Sequence, residues 1–160
     1  QDVFLFNDTV ESNIALGRDL SKDELHRILS LVQARFIERL PDGVETSLTE
    51  GATNISTGER QLLSFARILA HDPRIIIMDE ATANVDTETE QLIQTAVGTI
   101  MEGRTALVIA HRLSTIKHAD RILVLAQGEL VEQGTHDTLI AERGIYYNLY
   151  KLQYQERSIK

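Results

Sequence analysis

Two adjacent carboxylates follow an apolar stretch in the middle of this 160-residue chain. Residues 75–78 are Ile-Ile-Ile-Met, and Asp79 and Glu80 come directly after them. Ligands of open α/β sheets bind beyond the carboxyl ends of the strands, so a strand here would present both acids to a ligand. Adjacent strand residues point to opposite faces. One acid could therefore hold a divalent cation through water while the other deprotonates an attacking water. By itself, such a dipeptide is more often a solvated turn with two ordinary acids.

A predicted helix start upstream offers a site for an anion. Ser56 and Glu59, in the stretch Ser-Thr-Gly-Glu, have the spacing of a capping box, in which each residue caps a backbone N–H of the other. The same helix start presents further backbone N–H groups and the positive end of the helix dipole, which can bind a phosphate. The two interpretations are compatible, because a capped helix start can also hold an anion.

A histidine follows a second apolar stretch. His111 comes after Thr-Ala-Leu-Val-Ile-Ala at 105–110, again at the carboxyl end of a predicted strand. A lone histidine in this position is usually a surface or capping residue. Two strands that end in Asp-Glu and in His make a shared site more plausible. The other four histidines lack the spacing of a metal-ligand set and are interpreted as solvated.

The elements that would position these residues change character along the chain. Residues 7–72 are mostly helical in pattern, whereas strands and helices alternate after Asp72, which is typical of βαβ units around a parallel sheet. We therefore expect three parts: the end of a core strand at 1–6, a helical subdomain at 7–72, and the rest of the core at 73–160. The predicted helices are 10–16, one that begins at Ser21, 57–70, 87–101, 113–117, 136–141 and 146–153. The predicted strands are 74–78, 105–110, 121–126 and 129–131, and residues 44–55 are predicted to be loop.

Composition excludes several classes of protein. The net charge of −8 disfavours a broad surface for nucleic acid or anionic membrane, and we expect no nucleic-acid partner. The absence of cysteine excludes disulfides and thiolate zinc sites. No apolar run approaches the roughly 18 residues of a membrane span. The chain starts at Gln1, without an initiator methionine, in what looks like the end of a strand, so we expect a piece of something longer.

Five motifs in order resemble the nucleotide-binding domain of an exporter-type ATP-binding cassette (ABC) transporter, over essentially the whole chain. Gln1 with DVFLFNDTVESNI is similar to the Q-loop, and NISTGERQLLSFARIL to the ABC signature and its helix. IIIMDEATANVDTETE is similar to the Walker B strand and D-loop. ALVIAHRLSTIKHADRILVL resembles the switch-histidine region, and GELVEQGTHDTLI with GIYYNLYKLQ resembles the C-terminal end. The implied fold is α/β: part of a three-layer P-loop NTPase core with a parallel sheet, plus an α-helical subdomain.

The resemblance implies a role for each candidate residue. Asp79 matches the Walker B aspartate, which holds Mg²⁺ through water, and Glu80 matches the catalytic glutamate, which polarises the attacking water. His111 matches the switch residue that contacts the γ-phosphate of ATP. Gln1 matches the Q-loop residue that links the metal ion to the transmembrane partner. Asp86 matches the D-loop aspartate, which crosses the dimer interface.

The implied function is ATP binding and hydrolysis that powers export, at the cytoplasmic face of the cell membrane. The partners would be a transmembrane domain and a second nucleotide-binding domain, arranged so that the signature residues Ser56, Thr57, Gly58 and Glu59 contact the ATP held by the opposite chain. Two alternatives stay open. One is a non-transport cassette of the DNA-repair type, which carries long coiled-coil insertions between Q-loop and signature. The other is an interaction module without catalysis.

The sequence departs from the family pattern in its phosphate-binding elements. No G-x-x-x-x-G-K-[ST] motif occurs in the 160 residues, and the family places that loop before the Q-loop. We therefore expect these residues alone to be inactive. In the family, the strand of that loop lies between the strand ending at His111 and the strand 121–126, so those two strands should stand apart or collapse together.

The signature also departs, because it reads ISTGE where the family usually shows LSGGQ. Thr57 and Glu59 are the altered positions, and the stretch before them is unusual apart from Glu50. A carboxylate at roughly 4–8 Å from a phosphate charge would be repelled by about 2–4 kcal/mol at an effective dielectric constant of 20, unless capping turns it away. Since Glu80 is intact, the altered signature and the catalytic residue would serve different sites. This favours a heterodimer over a homodimer.

Overall fold

The computed structural model describes residues 3–79, 86–109 and 116–157. The chain forms two compact units, Gln1–Val108 and Ile109–Lys160. This division by compactness falls at a different place from the change in sequence pattern near Asp72. The three-part organisation into 1–6, 7–72 and 73–160 therefore stays a prediction.

The first unit is built mainly of helices, and its sequence start and stop signals are the observed ones. Ser21 forms a capping box with Glu24, and Asp72 ends a long helix in the left-handed conformation, with Pro73 after it. The elements are α1 (Val10–Ala15), α2 (Lys22–Leu31), α3 (Thr57–His71), β1 (Ile75–Asp79), α4 (Thr87–Met101) and β2 (Thr105–Ile109).

Short 3₁₀ turns lie between α2 and α3, and two of them overlap or fall within residues 44–55, which were predicted to be loop. Three 3₁₀ turns lie at Arg35–Arg39, Gly43–Glu45 and Glu50–Ala52. A single antiparallel bridge also joins Thr9 to Ser47. Turns of three to five residues have no hydrophobic period long enough to read, which is why the pattern left them out.

Helix α3 is the centre of the first unit and contacts α1, α2 and α4. Leu62, Phe65 and Ala66 recur at helical spacing and are buried, and Leu69 packs against the same core. Leu63 is also buried, because α3 has helices on more than one side. Facing residues of α4 that complete this core are Ile93, Ala96, Val97 and Ile100.

A buried asparagine fixes the N-terminal segment to α1 and α3. Asn13 is 1% exposed; its Oδ1 accepts from the Phe6 N–H at 2.8 Å and its Nδ2 donates to the Phe6 carbonyl at 3.0 Å. Arg67 of α3 donates from Nε to the Asn13 carbonyl at 2.9 Å and from Nη1 to the Phe4 carbonyl at 3.2 Å. Burial lowers the pKa of the Arg67 guanidinium. The backbone of Phe4 and Phe6 is therefore held by two polar side chains.

Strands β1 and β2 form a two-stranded sheet in the first unit. The Thr105 N–H at the start of β2 donates to the carbonyl of Arg74, just before β1, at 3.1 Å. Since both strands start at this contact, the pair is parallel, as predicted. The ion pair between Arg104 and Asp72, 2.6 Å between Nη2 and Oδ1, joins the same two strand starts.

The second unit contains an antiparallel hairpin and two helices. Strands β3 (Ile122–Ala126) and β4 (Glu129–Gly134) are joined by Gln127 and Gly128, both at positive φ. The helices are α5 (His136–Glu142) and α6 (Ile145–Arg157). The unit's own core is formed by Ile122, Val124, Leu139 and Tyr146.

The described strands form two two-stranded sheets, β1 with β2 and β3 with β4. The expectation that the strands ending at His111 and over 121–126 stand apart or collapse together stays a prediction. Each sheet has an apolar face that stays exposed. Ile75, Ile77 and Leu107 are 67%, 73% and 56% exposed in the first sheet, while Ile76 between them is buried.

Helix α4 starts at a side-chain cap. Asp86 has extended backbone angles, and its Oδ1 accepts from the Thr89 N–H at 2.9 Å. This satisfies one of the N–H groups that a helix start leaves without an intrahelical partner.

We expect the 160-residue chain to self-associate at micromolar concentration, because flat apolar strand faces and unpaired edges promote aggregation. Ile77→Thr should reduce association measured by light scattering, since it removes apolar surface and keeps β propensity. The matched control is Ile76→Thr on the buried face, which should destabilise the chain instead. A monomeric chain with cooperative unfolding and several kcal/mol of stability would contradict this expectation.

Loss of the α4 cap should be measurable by chemical denaturation at low protein concentration. Asp86→Ala should lower the free energy of unfolding by about 1 kcal/mol, whereas Asp86→Asn should retain most of it, because both Asp and Asn cap well. Equal losses in the two variants would show that the carboxylate charge, and not the cap, stabilises this segment.

Candidate functional site

The start of α3 contains the residues predicted to contact a phosphate, and its capping box is formed. Ser56 is extended, its Oγ accepts from the Glu59 N–H at 3.2 Å, and Glu59 Oε2 accepts from the Ser56 N–H at 2.7 Å. Ser56 and Thr57 are exposed, whereas Gly58 is buried. The helix start is thus well defined and presents its first residues to solvent.

The second oxygen of Glu59 is also occupied. Arg39, at the end of the first 3₁₀ turn, donates from Nη2 to Glu59 Oε1 at 3.0 Å. Glu59 therefore has one oxygen on the Ser56 backbone and the other on a guanidinium. The predicted capping box between Ser56 and Glu59 is confirmed. The contact of Glu59 with Arg39 was not indicated by the sequence.

A second arginine supports the loop before the helix. Arg60 donates from Nη2 to Thr57 Oγ1 at 2.9 Å, and from Nη1 to the carbonyls of Gly51 and Ala52, both at 3.4 Å. Gly51 and Ala52 have φ of 68° and 50°, in the left-handed region. Arg60 therefore stabilises an unusual turn and positions the Thr57 hydroxyl. Its position directly after the signature is the one sequence signal that could have drawn attention to it.

A cavity of about 470 Å³ lies in the first unit beside this helix start. Helix α3 lines it with Thr57, Arg60 and Gln61, and Asp79 at the end of β1 also lines it. The structure thus brings two predicted site residues, Thr57 and Asp79, to one cavity. Ser56, Gly58 and Glu59 are not among its lining residues.

Asp79 is the last residue of β1 and is exposed, as expected for a ligand-binding carboxylate at a strand end. Among the described residues there is no group of three or more potential metal ligands. A Mg²⁺ ion commonly takes only one or two carboxylates, with water and substrate phosphate as the other ligands, so the single carboxylate of Asp79 fits that chemistry.

Three predicted site residues, Gln1, Glu80 and His111, lie outside the described residues. Their roles stay predictions. The segments next to them are described: Val3 lines the cavity, and β2 ends at Ile109. Asp86 caps α4, which is a structural role that sequence comparison with the D-loop did not suggest.

Helices long and apolar enough to cross a bilayer do not occur in residues 3–79, 86–109 and 116–157.

The sequence matches the family model described as ABC transporter over residues 1–83. A probable multidrug resistance ABC transporter ATP-binding/permease protein, YheH of Bacillus subtilis, is 50% identical over 155 residues, 96% of this chain and 23% of that protein. An ATP-dependent lipid A-core flippase of Syntrophus aciditrophicus is 50% identical over 161 residues, 99% of this chain and 27% of that protein.

The fold is also that of a solved transporter. The structure of a bacterial Atm1-family ABC exporter with ATP bound superposes with a TM-score of 0.82 at 44% identity, covering 96% of this chain and 27% of that one. The chain spans about a quarter of the length of the curated relatives it matches. With the signature helix and the strand ending in Asp79 in place, the chain belongs to the ABC transporter family.

Proposed function

We propose that this chain acts within an ABC exporter, as the part of its nucleotide-binding domain that supplies the signature helix and the Walker B strand. The observation that carries the proposal is the start of α3, where an exposed, capped helix N-terminus coincides with the signature sequence. A phosphate is stabilised at such a position by backbone N–H groups and the helix dipole. The names of the relatives, a multidrug transporter, a flippase and an exporter with ATP bound, point to the same activity.

In this proposal the residues of the Q-loop, Walker B and switch-histidine motifs provide the chemistry of hydrolysis. Asp79 and Gln1 would hold Mg²⁺, which would supply positive charge to offset that of the triphosphate. Glu80 orients the attacking water and accepts its proton, and His111 contacts the γ-phosphate. Each role is assigned by the residue's position in a matching motif.

The longer protein would have the following arrangement. A transmembrane domain contacts the segment after Gln1, and the nucleotide-binding domain lies at the cytoplasmic face of the membrane. A second nucleotide-binding domain pairs with this one, so that Ser56, Thr57 and Gly58 contact ATP held by the partner. The division into residues 1–6, 7–72 and 73–160 would then separate the helical subdomain from the ATPase core.

A non-transport cassette of the DNA-repair type is disfavoured by the segment between Q-loop and signature. The described helices there are α1, α2 and short 3₁₀ turns, and the longest is α2 with 10 residues. A coiled-coil insertion requires several heptads on each strand. An interaction module without catalysis would show the fold but no hydrolysis, which the following experiment decides.

In a full-length protein that contains this chain, Glu80→Gln should abolish steady-state ATP hydrolysis and spare ATP binding. The substitution keeps size and hydrogen bonding but removes the base. His111→Ala should impair turnover more than binding, because the proposed contact of His111 is with the γ-phosphate alone. Both are measured as phosphate release and nucleotide affinity of the purified protein.

Two controls complete that experiment. Glu88→Gln, a nearby change of the same chemistry, should leave hydrolysis close to that of the wild type. The 160 residues alone should not hydrolyse ATP, because they contain no G-x-x-x-x-G-K-[ST] loop to hold the triphosphate. Near-normal turnover in Glu80→Gln would remove Glu80 from the catalytic role, and wild-type protein without any turnover would favour the interaction module.

We further propose that the dimer is a heterodimer. The chain combines Glu80 with an altered signature, and in a head-to-tail dimer these would serve different ATP molecules. Such a division suits a pair in which one site hydrolyses ATP and the other mainly holds it. The partner would carry an LSGGQ-like signature and a replaced catalytic glutamate.

Expression of the full-length protein alone tests the heterodimer. It should form little active dimer by light scattering and phosphate release, and activity should rise when the partner is supplied. A homodimer in which both sites hydrolyse ATP at comparable rates would overturn the heterodimer and leave the ATPase proposal intact.

A further inference from the structure

The first turn of α3 carries a set of opposed charges. Glu59 lies at the third helical position, where its carboxylate meets the guanidinium of Arg39 at 3.0 Å. Arg60, at the next position, bonds Thr57 and the preceding loop. The charged side chains in these contacts are Arg39 and Arg60, which are positive, and Glu59, which is negative, in a chain whose net charge is −8.

The exposures of the paired residues differ. The Glu59 side chain is 20% exposed, and that of Arg39 is 76% exposed. An exposed ion pair contributes little to folding, because the charges are screened by solvent and long side chains lose entropy when they form it. The contact between Arg39 and Glu59 therefore adds little to the stability of the domain. It does change the local charge, because it places a positive group beside the carboxylate.

Without Arg39, Glu59 would keep the Ser56 N–H as its bonded partner among the described residues, and its Oε1 would lose the guanidinium. A negative charge at a helix N-terminus is favourable when no other anion binds there. When a phosphate binds to the same turn, the carboxylate repels it. A guanidinium 3.0 Å from the carboxylate reduces this repulsion, and two N–H contacts, from Arg39 and Ser56, keep both carboxylate oxygens engaged.

We propose that Arg39 is a positioning residue for the nucleotide: it neutralises and orients Glu59, so that a signature with glutamate in place of glutamine still accepts a triphosphate. This inference rests on the proposed function of the signature. It assigns Arg39 a role through Glu59, not a contact with the ATP or with the reacting atoms.

A double-mutant cycle in the full-length protein, assembled with its dimer partner, tests the coupling. Arg39→Ala should raise the KM for MgATP roughly two- to fivefold with little change in kcat, because an exposed pair is worth about 0.5–1 kcal/mol. Glu59→Gln should keep the wild-type KM or lower it. In the Glu59→Gln background, Arg39→Ala should have almost no further effect, since there is no charge left to neutralise.

Two further variants separate charge from structure. Arg39→Lys should restore most of the KM, because it keeps the positive charge. Arg35→Ala removes an exposed arginine from the same 3₁₀ turn and should leave the KM unchanged. The effect of Arg39→Ala should also weaken at high salt, where exposed charges are screened.

The outcomes are distinguishable. Additive effects of Arg39→Ala and Glu59→Gln, or a loss of kcat and thermal stability that Glu59→Gln does not rescue, would overturn the role of Arg39 while wild-type hydrolysis still supports the ATPase proposal. An equal rise of KM in Arg35→Ala would show a general charge effect and overturn it too. A wild-type protein that neither binds nor hydrolyses ATP would overturn both proposals.

Discussion

The burial of α3 is the constraint on which the first unit depends. Its apolar face packs on α1, α2 and α4 at once, and Leu62, Leu63 and Ala66 are almost fully buried. At its C-terminal end, His71 Nε2 lies 3.1 Å from the carbonyl of Ala15, and Arg18 bonds the Ala70 carbonyl. Because α3 is packed along its length and bonded at its C-terminal end, its N-terminal end is also held in place. That end is the first turn of α3, which begins at Thr57.

This end of α3 and the end of β1 line one cavity, although in the proposed dimer Thr57 and Asp79 would serve different ATP molecules. Helix α3 leads through the Asp72 cap into β1, so the position of Thr57 at the start of the helix and of Asp79 at the end of the strand follow from the same packing. The Arg104–Asp72 pair fixes the turn between them. Substitutions in the α3–α4 core would therefore disturb both positions, although neither residue belongs to the core.

The second unit is stabilised by its own polar and apolar contacts. Glu132 of β4 accepts from the backbone N–H of Tyr146 at 2.9 Å and so caps the start of α6. The Tyr146 hydroxyl lies 2.8 Å from His136 Nδ1. Burial raises the pKa of this hydroxyl, and the neighbouring Tyr150 raises it further, to a smaller extent. The exposed faces of Leu123 and Leu125 show that the hairpin, like the β1–β2 sheet, has one apolar side without a partner among the described residues.

The sequence by itself determined the local elements, because their signals lie within a few residues of one another. The capping boxes at Ser21 and Ser56, the extent of α3 and the strand ending at Asp79 follow from i,i+3 caps and hydrophobic period, and the structure has them where predicted. The family motifs located the candidate site for the same reason, since each is a contiguous stretch. Only the tertiary structure decided which distant side chains meet. Arg39 and Glu59 are 20 residues apart, and Asn13 and Arg67 are 54 apart; no pattern in the chain pairs them, because packing of α3 against its neighbours brings them together.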